Sequence, residues 1–334
     1  MPRSSAGNEK MFQVLFLDVR KNVPRRLGVR VLILVVAAAL VLGATAAAVS
    51  EQYVIAEPLV ATVSASAPGY VVYPNPYDSP QQFMEGIYAA DHAPLPASTS
   101  QIRAVIVPHH LTATVTLATG IKMLSGQRFS KILLLSPDHF GHCATELCTV
   151  NATYQTQFGP VRATTSTVET LLTSSLVSSN PDLFKTEHGI YAVLPYIAHY
   201  FPGVEVTPLA LSQRMPWKQD ESTILDLLHR VVDDQTMVIV SSDFSHYLPL
   251  EQATRMDGLT QQALLSGDLD AIASLNNPSQ SDCPSCLWSL GALAKGRGFY
   301  NPQILMHTNS ATILHQPGLP STTSHFAIIW KERP

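Results

Sequence analysis

Histidines in this sequence gather behind short apolar runs, and histidine is the side chain that both binds transition metals and moves protons near neutral pH. The run "RAVIVP" is followed by His109 and His110, "KILLLSP" by Asp138, His139 and His142, and "TMVIVSS" by Asp243, Ser245 and His246. "TEHGI" brings Glu187 and His188 to the start of a helical stretch. Six of the 12 histidines lie in these four segments. Any one alone reads as a capping or hydrogen-bonded loop residue. Their recurrence after apolar runs implies that at least two share a site.

Sulfur is a second source of ligands. Cys283 and Cys286, in "DCPSCLW", have CxxC spacing at a predicted helix start, where the helix dipole favours thiolate. A thiolate suits copper, zinc or iron, and two thiols at this spacing can instead close a redox-active or a purely structural disulfide. No second CxxC exists in the chain, which excludes a four-cysteine zinc knuckle. The other two cysteines, Cys143 and Cys148, are spaced for a loop staple.

Positioning such groups requires strands. Short β-rich runs predict strands over 104–107, 131–136, 204–209, 236–241, 304–308 and 325–330. Helical periodicity predicts helices over 80–90, 114–125, 167–175, 188–200, 221–232, 252–266, 269–276 and 286–297, with Pro195 kinking or restarting the fourth-listed of these, 188–200. This alternation implies an α/β fold with a central, largely parallel or mixed sheet flanked by helices on both faces. In such sheets ligands bind beyond the carboxyl ends of the strands, where the loaded loops lie.

The composition adds a membrane. The 334 residues are 46% hydrophobic and only 14% charged, with a mean hydropathy of +0.13. Residues 31–49 are apolar over about the length that crosses a bilayer, and they follow a basic cluster, Arg20, Lys21, Arg25 and Arg26. The expected organisation is a cytoplasmic basic tail (1–30), a transmembrane anchor (31–49), a Pro/Ser/Ala-rich linker (50–70) and an extracytoplasmic domain (71–334). Cleavage of residues 31–49 as a signal, with secretion of the remainder, is the alternative. A net charge of −4 gives no footprint for nucleic acid.

The loaded segments, taken in order, resemble those of the Memo-like family, also described as AmmeMemoRadiSam system protein B. "VPHHLT" is similar to the family's "APHAGY" at Pro108 and His109, with His110 on a small residue of that motif. "LLLSPDHF" matches at His139, and "TEHGIYAVLPY" at Glu187, His188, Leu194, Pro195 and Tyr196. "VSSDFSHY" matches at Asp243 and His246, and "DCPSCLW" places Cys283, or alternatively Cys286, on the family's cysteine. The resemblance covers roughly residues 73–330 and implies a fold related to class III extradiol ring-cleavage dioxygenases. It implies a metal, copper foremost with iron or zinc as alternatives, on His109, His139 and Cys283. His188, Asp243 and His246 would line the cleft as catalytic groups, with Asp243 or Glu187 orienting a ligand. Tyr191 stands where the family has a glutamate, Leu111 and Thr112 replace Gly-Tyr, and Pro284 replaces a glycine.

Three functions follow as expectations. One is metal-dependent oxidation at an open coordination position, with metal-assisted hydrolysis using the same groups. Another is a non-catalytic module that binds a peptide or small molecule through a vestigial site. The third is a dithiol–disulfide couple at Cys283 and Cys286.

Overall fold

The segment Ile102–Val107, "IRAVIV", is buried at all six positions, which a strand achieves only with packed layers on both of its faces. The computed structural model describes residues 71–96, 98, 100–213 and 217–332, and the described residues fall in one compact unit. The predicted tail, anchor and linker lie outside them. Among the described residues no helix is long and apolar enough to cross a membrane.

In chain order the strands are β1 (Val71–Tyr73), β2 (Ile102–Val107), β3 (Lys131–Pro137), β4 (Leu147–Thr149), β5 (Ala152–Thr156), β6 (Gly159–Arg162), β7 (Val177–Ser179), β8 (Glu205–Leu211), β9 (Thr236–Ser241), β10 (Phe244–Leu248), β11 (Phe299–Asn309) and β12 (Thr322–Glu332). The helices are α1 (Gln81–His92), α2 (Thr114–Lys122), α3 (Thr165–Leu171), α4 (His188–Tyr191), α5 (Leu194–Tyr200), α6 (Trp217–Val231), α7 (Leu250–Ser266), α8 (Leu269–Ala273), α9 (Pro284–Arg297) and α10 (Ser310–Ile313).

Among the described residues a nine-stranded sheet runs β10-β12-β2-β9-β3-β8-β4-β7, with β11 paired to β12, and β1, β5 and β6 form a small second sheet. Strands β2, β9, β3 and β8 are mutually parallel. β12 is antiparallel to β2, β10 and β11, and β4 is antiparallel to β8. The sheet is therefore mixed, with a parallel centre.

Alternation along the central strands builds two cores. Ala104, Ile106, Leu133, Leu135, Val238 and Val240 face one layer with Leu227 of α6 and Leu290 of α9. Val105, Val107, Ile132, Leu134, Met237 and Ile239 face the other, with Phe83 of α1 and Leu117 of α2. The predicted helix 188–200 is two helices, because Pro195 opens the first turn of α5, where a missing N–H costs nothing. Strands β4 to β7 are three to five residues long and carry too few apolar positions to announce themselves.

Close packing of α1 on α2 is tested at glycine. A Cβ on Gly86 would sit 2.5 Å from the Thr114 carbonyl oxygen, whereas one on Gly258 of α7 would meet nothing within 4 Å. Gly86→Ala is expected to lose about 1–3 kcal/mol by overpacking, and Gly258→Ala to gain about 0.5–1 kcal/mol from helix propensity. Urea denaturation of the two variants measures both. Equal midpoints would contradict the packing described.

Candidate metal centre

Parallel pairing brings the loaded loops together. Val107 is in register with Ser241 and Leu135 with Val240, so β2, β9 and β3 end side by side. The next residues out are His109, Asp243 and His139. Helix α4 begins at His188, and Asp282 precedes α9.

Each of the polar side chains here has one atom tied to the protein. His109 Nδ1 lies 3.0 Å from Ser241 Oγ. The Ser241 hydroxyl has a single proton, which it donates to the Gly189 carbonyl at 2.6 Å, so its oxygen accepts from His109 Nδ1–H. His139 Nδ1–H donates to Glu187 Oε1 at 2.6 Å. Asp282 Oδ1 accepts from the Ser242 hydroxyl at 2.8 Å and the Asp243 amide at 3.1 Å. Asp243 Oδ1 accepts from His325 Nδ1–H at 2.7 Å.

The opposite atoms face one another. Asp282 Oδ2 is 3.1 Å from His109 Nε2 and 3.7 Å from His139 Nε2, and Asp243 Oδ2 is 3.3 Å from His109 Nε2. His109 Nε2 is nonetheless buried without a hydrogen bond of usable geometry. With Nδ1 fixed by Ser241 and carboxylates in front of Nε2, this nitrogen attracts positive charge, whether a proton or a metal cation. His188 completes the cluster, stacked on the His139 ring at 3.9 Å and edge-on to His109 at 5.2 Å.

Electrostatics support that reading. Burial alone would make His109 and His139 neutral. The facing carboxylates of Asp243 and Asp282 raise His109 instead, and the nearby Asp282 carboxylate together with the Glu187 hydrogen bond raises His139 to about 10. Burial likewise opposes the charges on Glu187, Asp243 and Asp282, yet the imidazoles hold all three carboxyls below their ordinary range. His188 moves the other way. Burial, then the charges of His139 and His109, lower it to about 4.

Several sequence-level candidates are placed elsewhere. Cys283 is bonded to Cys286 and Cys143 to Cys148. Cys283 Sγ also accepts the Cys286 amide at 3.2 Å, capping α9. The CxxC thus closes across a helix turn, and a disulfide sulfur is no thiolate ligand. Among the described residues the close donor groups are His109/His139/His188, His110/Asp243/His246 and His109/Asp243/Asp282, without Cys283. The carboxylate one residue earlier, Asp282, faces His109 and His139 instead. Asp138 only ties its own loop, accepting the His142 and Cys143 amides, and Ser245 donates to Asp257. Tyr191 packs edge-on against Tyr154 in the apolar core. Sequence reasoning missed Asp282 and His325. His325 opens the apolar run "HFAIIW", and a histidine heading the predicted strand 325–330 was the available signal; the strand itself begins at Thr322.

Comparison with known proteins places these residues in context. A model of the family described as "Memo-like protein" matches residues 65–283. The "MEMO1 family protein PAE0818" of Pyrobaculum aerophilum is 27% identical over 190 residues, which is 53% of this chain and 65% of that protein. A MEMO1 family protein of Methanococcoides burtonii is 24% identical over 210 residues, 60% of this chain and 75% of its own. The chain thus spans less than two thirds of the Pyrobaculum relative. The crystal structure of uncharacterized protein JW3007 from Escherichia coli K12 aligns with a TM-score of 0.45 at 16% identity, covering 68% of this chain and 99% of that one. That score is too low to add to the fold described above.

Proton and cation compete for the same nitrogen. With His139 raised to about 10 against about 6.5 in the unfolded chain, the folded state binds the extra proton between those values. Without metal its contribution to stability is full below pH 6.5 and lost as pH rises through 10. Cation binding must expel that proton, so apparent affinity should rise with pH, approaching tenfold per unit for each proton displaced. Calorimetric titration with cobalt(II) from pH 6 to 8 checks this. A flat profile would mean that Nε2 is not a ligand.

Proposed function

This chain belongs to the Memo-like family, whose model covers residues 65–283 of its 334, and from that premise we propose that its cleft holds a divalent transition-metal ion on His109, His139 and Asp282 for oxygenase-type redox chemistry. One observation carries the reading. Asp282 Oδ2 lies 3.1 Å from His109 Nε2 and 3.7 Å from His139 Nε2, while Nδ1 of each imidazole and Oδ1 of the carboxylate are tied to the scaffold.

Two imidazoles and one carboxylate on one side of an ion are the donor set of non-haem iron(II) oxygenases, and zinc also accepts imidazole. When bound, such an ion supplies Lewis-acid or one-electron chemistry at its open positions. Copper, which the resemblance favours, would lose the thiolate that the Cys283 disulfide withholds and rest on imidazole and carboxylate alone.

The chain's own groups perform the remaining work. Ser241 and Glu187 fix the two imidazoles so that they cannot flip, which keeps both Nε2 atoms aimed inward. His188, half exposed at the mouth, is neutral above about pH 4 and accepts a proton from a hydroxyl-bearing substrate. Phe140, exposed and edge-on to His188 at 6.2 Å, offers an apolar wall to a substrate ring. His246, buried beside His110, serves as a second neutral imidazole in the cleft. A non-catalytic binding or sensing role is the second reading, favoured by Tyr191, which puts a buried phenol where the resemblance expects a cleft carboxylate.

The proposed location is the extracytoplasmic face, anchored through residues 31–49. Pairing of all four cysteines supports it, since disulfides persist in oxidising compartments.

Anaerobic reconstitution of the full chain with iron(II), followed by oxygen uptake with a catechol, tests both halves. His109→Ala/His139→Ala and Asp282→Ala are expected to weaken iron binding by more than about 100-fold, because outer partners alone are worth 10–100-fold. Cys283→Ser/Cys286→Ser should leave it intact. The reverse pattern would replace Asp282 by Cys283 as ligand. Tight iron without oxygen uptake would favour the non-catalytic role.

A further inference from the structure

Beyond the first ion's donors, His110, His246 and His325 crowd the same cleft wall and are not used by it. The His110 ring is 5.8 Å from that of His246 and 5.7 Å from that of His325. Two of these three imidazoles carry a buried nitrogen with no hydrogen-bond partner, Nδ1 of His246 and Nε2 of His325. Leaving such nitrogens dry and unpaired costs free energy unless a ligand satisfies them.

Asp243 is built to serve two neighbours. Its Oδ1 is engaged by His325 Nδ1 at 2.7 Å. Its Oδ2 receives the His110 amide at 3.1 Å and lies 3.3 Å from His109 Nε2 on one side and 3.6 Å from His110 Nδ1 on the other. One donor atom from each of His110, Asp243 and His246 lies within 4.8 Å of the others, and the same holds for His109, Asp243 and Asp282. Asp243 is common to both groups.

We propose that His110, His246 and Asp243 hold a second divalent transition-metal cation beside the first, with Asp243 bridging the two. Two imidazoles and a carboxylate again suit zinc, iron, cobalt or manganese. A shared carboxylate oxygen sets the ions at the roughly 3.5–4 Å spacing of two-metal sites. His325 has the orienting part, fixing Oδ1 so that Oδ2 stays between the two positions. The proposal rests on the first-ion reading and adds Asp243, whose Oδ2 lies 3.3 Å from His109 Nε2, to that ion's donors as the shared carboxylate; His110 and His246 belong to the second ion alone.

Equilibrium dialysis of the full chain against cobalt(II), with metal counted by mass spectrometry, tests it. The wild type should hold about two ions, and His110→Ala and His139→Ala about one each. His110 is partly exposed, so its loss should spare the fold, which circular dichroism verifies. His246→Ala provides the second variant, with the same expected count. As an independent readout, manganese(II) in both positions should give an exchange-coupled paramagnetic resonance signal that disappears in His110→Ala. One ion in the wild type, unchanged in His110→Ala and lost in His139→Ala, overturns the second site and leaves the first standing. Two ions in both the wild type and His110→Ala overturn the ligand assignment. No bound cobalt in the wild type overturns both readings.

Discussion

The carboxylate of Glu187 is the hub on which the cluster depends. One oxygen accepts the His139 ring and the Gly189 amide, and the other accepts the His139 backbone amide. Gly189 in turn accepts the Ser241 hydroxyl, whose oxygen orients His109. A single buried acid thereby links the ends of β2, β3 and β9 to the first turn of α4. Close approach explains the glycine. A Cβ there would collide with Ser136 Oγ and press on Glu187 Oε1 at 3.2 Å, so even alanine would wedge the hub apart.

Burying Glu187, Asp243 and Asp282, each at most 5% exposed, carries a desolvation cost of several kcal/mol per ion. Hydrogen bonds from amides, hydroxyls and imidazoles offset part of it. Such concentration of buried negative charge serves fold stability poorly, because well-packed apolar residues would do as well or better. It is the arrangement expected where a cation's affinity, rather than the fold's, is being served. The ring of His188 fits the same logic, since a neutral imidazole can stack on a charged neighbour where a second imidazolium could not.

The parallel centre was legible because buried strands read as continuous apolar runs, and strand ends then located His109, His139 and Asp243. The periphery was not. β4 and β7 owe their existence to pairing with neighbours rather than to their own three residues. Asp282 was hidden by its setting. The two thiols that follow it draw attention as ligands, while the path that turns its carboxylate inward depends on Ser242 and the Asp243 amide, some 40 positions earlier. His325 was hidden for a related reason: its partner is 82 residues away, and no local pattern announces an aspartate–histidine pair of that span.

The position of β12 in the sheet bears on how the protein is made. It lies between β10 and β2, and β2 is synthesised more than 200 residues before it. Until β12 is available, β2 offers an unpaired edge with apolar residues on both sides, the kind of surface that captures other nascent chains. Chain growth therefore imposes a waiting period on this protein, during which the β2 edge stays open to pairing. The same strand delivers His325, so the cleft acquires its last orienting group only when that exposed edge is sealed.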